Sequence, residues 1–329
     1  MARFLVRRIA LGLFTLWLVT VAVFLIFFVG PGPGFVAHTL AGRQATPAQV
    51  AAVSHRLALD RPIFTQYWYF LVGNPSVPGS GLLHGNLGYD FYHDQPVNSI
   101  LKAAFPISLS LVVGAAVLWL VMGVLSGIVS AVRSRSVYDR TFTVLALVFY
   151  SMPTFVLGFL FLLLLYYELT IHGVSLFPGS GYTSFTTNPF QWFRGLILPW
   201  FTLALVSAAV YTRLTRGSML DVLGEDYIRT ARSKGLSERR VIFRHALRSA
   251  LTPVVTQFGI DVGVLFGGAI ITEVVFGMPG LGYTAFQAIQ QQDLPVIIGV
   301  VIITATAVVV ANIIVDAVYA ILDPRVRLH

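Results

Sequence analysis

The chain has 329 residues, of which 56% are hydrophobic and only 11% are charged, and its formal net charge is +8. A soluble domain has about 25% charged residues, so this chain has too few to cover a water-facing surface of its size. The composition therefore excludes most soluble enzymes and freely soluble nucleic-acid-binding proteins, and it indicates a membrane protein. The sequence contains no cysteine, which excludes disulfides, thiolate metal sites and a cysteine nucleophile.

Long runs without charged residues mark the predicted membrane spans, because a charged side chain at a helix centre costs about 2.5–3.5 kcal/mol on insertion scales. Each run is long enough for one helix at a rise of about 1.5 Å per residue. The runs are Ile9–Gly30, the stretch between Lys102 and Arg133, the stretch between Arg140 and Glu168, Gly195–Thr212, Val254–Ile271 with Asp261 inside it, and Leu294–Val315. The sequence thus predicts an all-α integral membrane protein with six transmembrane helices.

The first of these runs follows Arg3, Arg7 and Arg8, an arrangement that signal peptides share. The apolar stretch is longer than a typical signal sequence, and Pro31-Gly32-Pro33-Gly34 follows it where a cleavage site would stand. We therefore expect a retained first transmembrane helix.

The distribution of basic residues predicts the orientation of the helices. Of the 22 Lys and Arg residues, all but five fall into the termini and loops on one side of the predicted membrane. The positive-inside rule assigns that side to the cytoplasm, so both termini are cytoplasmic, in agreement with an even number of spans. Basic residues along a membrane margin favour anionic lipid headgroups as partners, and we expect no nucleic acid.

Three parts follow along the chain: residues 1–30 with the first helix, an extracytoplasmic region over residues 31–99, and a five-helix core over residues 100–329. Thr46 is a predicted N-cap ahead of Pro47 at the first helical position. The rest of the second part is rich in glycine, proline and aromatic residues, so we expect a small folded cap. This cap either docks an external partner or packs as a lid against the helices.

The loop over residues 213–253, between the fourth and fifth predicted helices, carries nine basic and four acidic residues. Asp221 to Ser233 has the spacing of an amphipathic helix, Gly235 ends it, and Ser237 is the predicted N-cap of a second short helix. The pattern predicts a rigid cytoplasmic protrusion that another protein can push. A helix lying in the membrane interface is the alternative.

Residues 226–236 read Asp-Tyr-Ile-Arg-Thr-Ala-Arg-Ser-Lys-Gly-Leu and resemble the EAA loop of bacterial ABC-importer permeases of the peptide/nickel group. Arg229-Thr230-Ala231 stands where the name-giving Glu-Ala-Ala would be, and Gly235 is the glycine of the loop. Further matches follow in the family's order at Phe4–Arg8, Leu59–Pro62, Gly85–Gly88, Ser151–Phe155, Leu198–Pro199, Arg213–Arg216, Glu273–Phe276, Pro279–Gly282 and Leu322–Arg327. The large first external loop is most similar to that of the B-type permease subunit of oligopeptide or dipeptide importers.

The resemblance implies a multi-pass permease subunit of the bacterial inner membrane rather than an enzyme, with a second homologous permease forming the other half of the translocation pathway. One or two separate ATP-binding cassette subunits would bind ATP and Mg, and an extracytoplasmic peptide-binding protein would deliver the cargo. Contact with the ATPase is expected at Arg229, Thr230, Ala231, Arg232, Lys234, Gly235 and Leu236.

The sequence itself offers no G-x-x-x-x-G-K-[ST] motif, and the glycine-rich stretch Gly277–Gly282 is expected on the outer side, where ATP is absent. The seven histidines lack the i, i+4 spacing of a helical metal site. We therefore expect no catalytic residue, no metal site and no cofactor in this chain.

Small residues recur every fourth position in two predicted helices, at Gly123 and Gly127 and at Gly259, Gly263 and Gly267. Such faces let helices approach closely, and static packing is favoured over a sliding seam. Asp261 lies about 200° around the helix from Gly259. It either lines a hydrated pathway, where it would hold a peptide amine, or has no transport role. In the second case it makes a structural hydrogen bond or lies close enough to the helix end to be hydrated.

Three other functions stay open at this point. The same family could import glutathione or nickel instead of peptides. An intramembrane hydrolase would need paired catalytic groups at one depth, whereas Asp261 and Asp316 are predicted at different depths. An ion-coupled secondary transporter is expected to contain internal repeats, and none is visible in the sequence.

Overall fold

The computed structural model describes residues 2–42, 45–77, 79–90 and 92–322, and these residues are mostly helical. Two short strands, β1 (Tyr89–Asp90) and β2 (Gln95–Pro96), pair in antiparallel register with Asp90 opposite Gln95. The helices are α1 (Ala2–Phe24), α2 (Pro33–Ala41), α3 (Pro47–Arg56), α4 (Ile63–Val72), α5 (Val97–Val132), α6 (Val137–Ser151), α7 (Thr154–Phe161), α8 (Glu168–Ile171), α9 (Pro189–Leu223), α10 (Asp226–Ser233), α11 (Glu238–Arg240), α12 (Leu247–Val275), α13 (Leu281–Gln291) and α14 (Leu294–Leu322). π-Helical turns follow α1, α7 and α11 at Leu25–Val29, Leu162–Tyr167 and Val241–Ala246, and a 3₁₀ turn spans Leu82–His84.

Several of these helices are long and apolar enough to cross a membrane. Among the described residues there are five such stretches: Leu5–Val29, Val97–Val132, Thr154–Ile171, Pro189–Leu223 and Leu294–Ala317. A sixth candidate consists of two helical segments, Glu238–Asp261 and Val264–Val275, that meet at an angle of 48°. The described chain therefore has five candidate spans, or six when the bent pair counts as one, which agrees with the predicted class of membrane protein.

The third predicted span is interrupted in the structure. The charge-free run from Arg140 to Glu168 predicts one helix, but α6 ends at Ser151 and α7 begins at Thr154. Pro153 disfavours a helical conformation at the residue before it, and Met152 accordingly has φ −91° and ψ 129°. The prediction of one continuous helix is therefore wrong, and only Thr154–Ile171 meets the criterion for a span.

The fourth predicted span is longer than its charge-free run. Gly195–Thr212 predicts the apolar part correctly, but α9 continues in both directions to Pro189 and Leu223. The amphipathic helix expected from Asp221 consequently begins only at Asp226, because the three residues before Gly224 belong to α9.

The described residues divide into two compact units, Met1–Ile107 with Pro279–Ile313, and Ser108–Met278 with the described residues from Ile314 onward. In the first unit the segment after α1 packs on that helix: the Thr20 hydroxyl is 2.9 Å from the Tyr67 hydroxyl, and Phe24 and Phe70 contact each other. Thr46 caps α3 as predicted, since its hydroxyl accepts the Gln49 N–H and its own N–H donates to the Gln49 side chain. The segment is thus a folded part of the protein.

In the second unit, α5 and α9 touch through the glycines of α5. A Cβ atom on Gly123 would lie 2.4 Å from the Cβ of Tyr211, and one on Gly127 would lie 2.6 Å from the Cβ of Thr215. Real Cβ atoms do not come so close, so both positions require glycine at the present helix separation. The predicted close packing at Gly123 and Gly127 is confirmed.

Candidate functional site

The amphipathic helix α10 is held on the second unit by its apolar face. Ile228 and Ala231 are buried, in a cluster that also contains residues of α5, α9, the turn after α11, and α12. The other buried members are Ile128, Ala131, Met219, Val241, Ile242, Ala246 and Ala250. An eight-residue helix has little stability on its own, so these contacts hold α10 in place.

The opposite face of α10 is polar and exposed. Of the seven residues predicted to contact an ATPase, five lie on the surface: Arg229, Thr230, Arg232, Lys234 and Gly235. Ala231 is buried in the chain's own cluster, and Leu236 is partly buried against it. The structure thus separates the predicted set into residues that are free to meet a partner and residues that attach the helix to its own chain.

The turn after α10 depends on glycine. Gly235 has φ +75°, in the left-handed region that favours glycine, and a Cβ atom there would meet no atom within 4 Å. Backbone conformation, not crowding, therefore selects glycine at this position. Ser237 follows as the N-cap residue of α11 by its backbone, as predicted, although its side chain makes no capping bond.

An ion pair crosses this turn. Arg232 Nη2 lies 2.7 Å from Glu238 Oε1, and Arg232 Nε lies 3.1 Å from Glu238 Oε2, so the pair is bidentate. Both side chains are about half exposed, and an exposed pair contributes at most about 1 kcal/mol. The pair therefore links the two sides of the turn but adds little to the stability of the fold.

A second ion pair joins three elements next to the cluster that holds α10. Arg216 of α9 donates to both oxygens of Asp139 on α6, at 2.7 and 2.9 Å, and the backbone N–H of Arg135 donates to the same carboxylate at 2.8 Å. The Ser130 hydroxyl of α5 donates to it as well. Hydrogen bonds from Arg216 and then from Ser130 hold the pKa of Asp139 well below its usual range, so this buried carboxylate is charged at neutral pH.

Sequence reasoning did not identify Asp139, although a signal was present. Ser136 and Asp139 have the S/T-x-x-D/E spacing of a helix start, and the Asp139 N–H does donate to the Ser136 hydroxyl, at 3.3 Å. The spacing locates the beginning of α6. It could not show that the Asp139 carboxylate meets Arg216, which is 77 residues away in sequence.

Asp261, the carboxylate inside the fifth predicted span, has a partner on each oxygen. Tyr211 donates its hydroxyl to Asp261 Oδ2 at 2.9 Å, and Gln257 donates its amide to Oδ1 at 2.8 Å. Tyr211 in turn packs against Trp119, whose ring centroid is 5.8 Å away. These contacts favour the structural hydrogen bond over a free carboxylate in a pathway.

The glycines of the same helix are described only in part. A Cβ atom on Gly259 would lie 3.1 Å from Val315 Cγ1, so Gly259 packs closely on α14. The surroundings of Gly263 and Gly267 lie outside the described part of the structure, and the packing role of these two residues stays a prediction.

Two family models match the sequence. The one described as "Binding-protein-dependent transport system inner membrane component" matches residues 123–328, which include α6 to α14. The one described as "Binding-prot-dependent transport system membrane comp, N-term" matches residues 1–112. Together they include the first helix, the folded segment after it and the whole α10–α11 region.

Similar proteins extend over the whole chain. The dipeptide transport system permease protein DppB of Escherichia coli is 37% identical over 351 residues, covering 99% of both chains. The di/tripeptide transport system permease protein DppB of Pseudomonas aeruginosa is 36% identical over 342 residues, again with 99% of both chains covered. A putative peptide transport system permease protein of Brucella abortus is 36% identical over 327 residues, with the same coverage.

A comparison with solved structures supports the fold. The MetNI methionine ABC transporter, in inward-facing conformations, matches with a TM-score of 0.54 at 17% identity, covering 68% of this chain and 96% of that chain. At this identity the likeness concerns the helical architecture alone.

The Asp139–Arg216 pair leads to a stability prediction. Arg216→Ala leaves a buried carboxylate without its guanidinium, and because Arg216 is about one-third exposed we expect a loss of about 2 kcal/mol rather than the 3–5 kcal/mol of a fully buried pair. Thermal unfolding of the purified chain in detergent, followed by tryptophan fluorescence, measures this as a lower apparent melting temperature.

Arg213→Ala is the matched control on the same helix. Arg213 is exposed and lies over the Tyr150 ring at 4.8 Å, a contact worth about 0.5–1 kcal/mol. Equal losses in the two variants would contradict a special role of the buried carboxylate.

Proposed function

Because the chain belongs to the family of binding-protein-dependent transport system inner membrane components, we propose that it forms half of the translocation pathway of an ATP-driven importer for dipeptides or oligopeptides. The observation that carries this proposal is the similarity to peptide permeases along the entire chain. The chain is accordingly a transporter subunit in the bacterial inner membrane, not an enzyme.

The membrane topology belongs to the same proposal. Six spans, with the bent pair around residues 262–263 counted as one, put both termini in the cytoplasm together with most Lys and Arg residues. The folded segment between α1 and α5 is then extracytoplasmic, where it can meet a peptide-binding protein. The α10–α11 region is then cytoplasmic.

The energy for transport comes, in this proposal, from separate ATPase subunits that bind ATP and Mg. Force on the exposed face of α10 passes through Ile228 and Ala231 into the cluster that joins it to α5, α9 and α12. A second homologous permease completes the pathway, and this chain needs no nucleotide of its own.

The cargo that we propose is a peptide rather than glutathione or nickel. Three similar proteins are named for peptide, dipeptide or di/tripeptide transport. An uncharged backbone with varied side chains suits a wide hydrated path, so we assign most of the selectivity to the binding protein. The intramembrane hydrolase finds no support at Asp261, whose carboxylate is hydrogen-bonded by Tyr211 and Gln257.

Transport by the reconstituted system tests the function. Proteoliposomes that contain this chain, its partner permease, the ATPase subunits and the binding protein are expected to accumulate radiolabelled dialanine only when ATP is supplied on the ATPase side. Unlabelled tripeptide should compete, whereas glutathione and Ni²⁺ at the same concentration should not. Uptake of nickel in place of the peptide would contradict the cargo, and uptake without ATP would contradict the importer itself.

The Gly235 turn tests the coupling role of the protrusion. A β-branched residue is strained at φ +75°, at a cost of about 1–2 kcal/mol, so Gly235→Val should reorient the chain between α10 and α11. We expect the amount of dialanine imported per ATP hydrolysed to fall severalfold, while the amount of chain in the membrane stays unchanged.

Gly235→Asn is the matched control, because asparagine tolerates the left-handed region better than other residues with a side chain. This variant should keep most of the coupling. Full coupling in Gly235→Val would count against the role of the turn, since the missing Cβ contacts rule out crowding as the cause of any effect.

A further inference from the structure

Three side chains with metal-ligand chemistry meet in the first unit, where the β1–β2 hairpin lies beside the start of α14. They are Asp90, His93 and Asp293, and their ligand atoms all lie within 4.8 Å of one another. Asp90 and Asp293 are 1% and 4% exposed, whereas His93 lies on the surface. The group therefore combines two buried carboxylates with one imidazole at the solvent edge.

Backbone contacts hold this group in position. Asp90 Oδ1 accepts the N–H groups of Tyr92 and His93, at 2.7 and 3.1 Å, and Asp90 Oδ2 is 2.6 Å from His93 Nδ1. Asp293 Oδ1 accepts the N–H of Val296 in the first turn of α14, at 3.2 Å. One oxygen of each carboxylate thus accepts backbone N–H groups, and the second oxygen of Asp90 meets His93.

The two buried carboxylates meet each other and His93, and within the described chain they have no ion pair with Lys or Arg. Within the described residues, the two carboxylates make polar contacts with backbone N–H groups, with His93 and with each other. Burial and the hydrogen bond with Asp90 raise the pKa of Asp293 to about 7. Burial acts to raise the pKa of Asp90 as well, but hydrogen bonds from Asp293 and His93 bring it below its usual range. A cation bound here would take the place of the proton that the two carboxylates share.

We propose that Asp90, His93 and Asp293 bind one divalent transition-metal cation of the zinc type. Zinc accepts carboxylate oxygen and imidazole nitrogen at about 2.0–2.2 Å, and ligand atoms already within 4.8 Å of one another need only small side-chain movements to reach that distance. The imidazole favours zinc over calcium or magnesium, which prefer oxygen ligands. Three protein ligands leave one position for water, and exposed His93 provides access.

The metal would join elements that are far apart in sequence. Asp90 and His93 belong to the hairpin of the segment between α1 and α5, while Asp293 directly precedes α14. One bound cation would therefore fix the hairpin on α14 within the first unit. This inference rests on the geometry of the three side chains and stands apart from the proposed transport function.

Zinc binding to the intact purified complex tests the proposal. The complex carries a histidine-free affinity tag, is treated with a chelator, and is titrated with ZnCl₂ in a calorimeter. We expect one saturable site on this chain, and we expect Asp293→Asn to weaken it roughly tenfold or more, because a liganding carboxylate is lost. Asparagine keeps an oxygen for the Val296 N–H and can donate its amide to Asp90, so this variant should fold.

Asp60→Asn serves as the control, since it removes an exposed carboxylate from the same segment and should leave zinc affinity unchanged. His93→Gln, at an exposed position, gives a second loss of binding and keeps both buried carboxylates; the glutamine amide can still donate to Asp90. Zinc should also raise the melting temperature of the wild-type complex and not that of Asp293→Asn. The proposal is overturned if the wild-type complex binds no zinc, or if Asp293→Asn and His93→Gln bind it as tightly as the wild type.

Discussion

The helix α10 has an apolar face that must be buried, and the way in which that face is buried determines what the rest of the protrusion can do. Ile228 is fully buried and Ala231 nearly so, against a cluster contributed by α5, α9, the turn after α11, and α12. Burying a side chain such as Ile228 contributes about 1.5–3 kcal/mol, which an eight-residue helix could not replace by its own hydrogen bonds. The polar face is therefore presented outward, on a helix fixed to the elements that it would have to move.

Three kinds of contact near this cluster join the helices on which α10 packs. Gly123 and Gly127 bring α5 and α9 so close that the two helices cannot slide apart without losing contact. The Asp139–Arg216 pair adds α6 to them through charge-assisted hydrogen bonds to a buried carboxylate. Tyr211 then links α9 to α12 through Asp261. We expect a helix attached to so many packed elements to transmit displacement, as the proposed coupling to a separate ATPase requires.

The parts of this arrangement that sequence could predict are local. The Thr46 cap and the left-handed Gly235 follow from neighbouring residues, and so they were predicted correctly. A charge-free run predicts a span from composition alone, and that criterion passes over Pro153, where the helix is interrupted. The meeting of Asp139 with Arg216 depends on tertiary packing, and no spacing encodes it. The same holds for the meeting of Asp90, His93 and Asp293. The expectation of no metal site considered only i, i+4 spacing within one helix. That expectation stays a prediction, and the zinc titration tests it.

The most direct test of the account is to detach α10 without changing its exposed face. Ile228→Ser removes the buried anchor, and Ser233→Ala, at an exposed position on the same helix and outside the predicted ATPase contact, is the control. The quantity to measure is peptide imported per ATP hydrolysed by the reconstituted complex, together with the amount of ATPase that co-purifies. The account predicts that Ile228→Ser retains bound ATPase but loses most of the coupled import, while Ser233→Ala behaves as the wild type. Faster hydrogen exchange in Ile228→Ser would show that α10 has loosened. If import per ATP were nevertheless unchanged in that variant, the account would be contradicted.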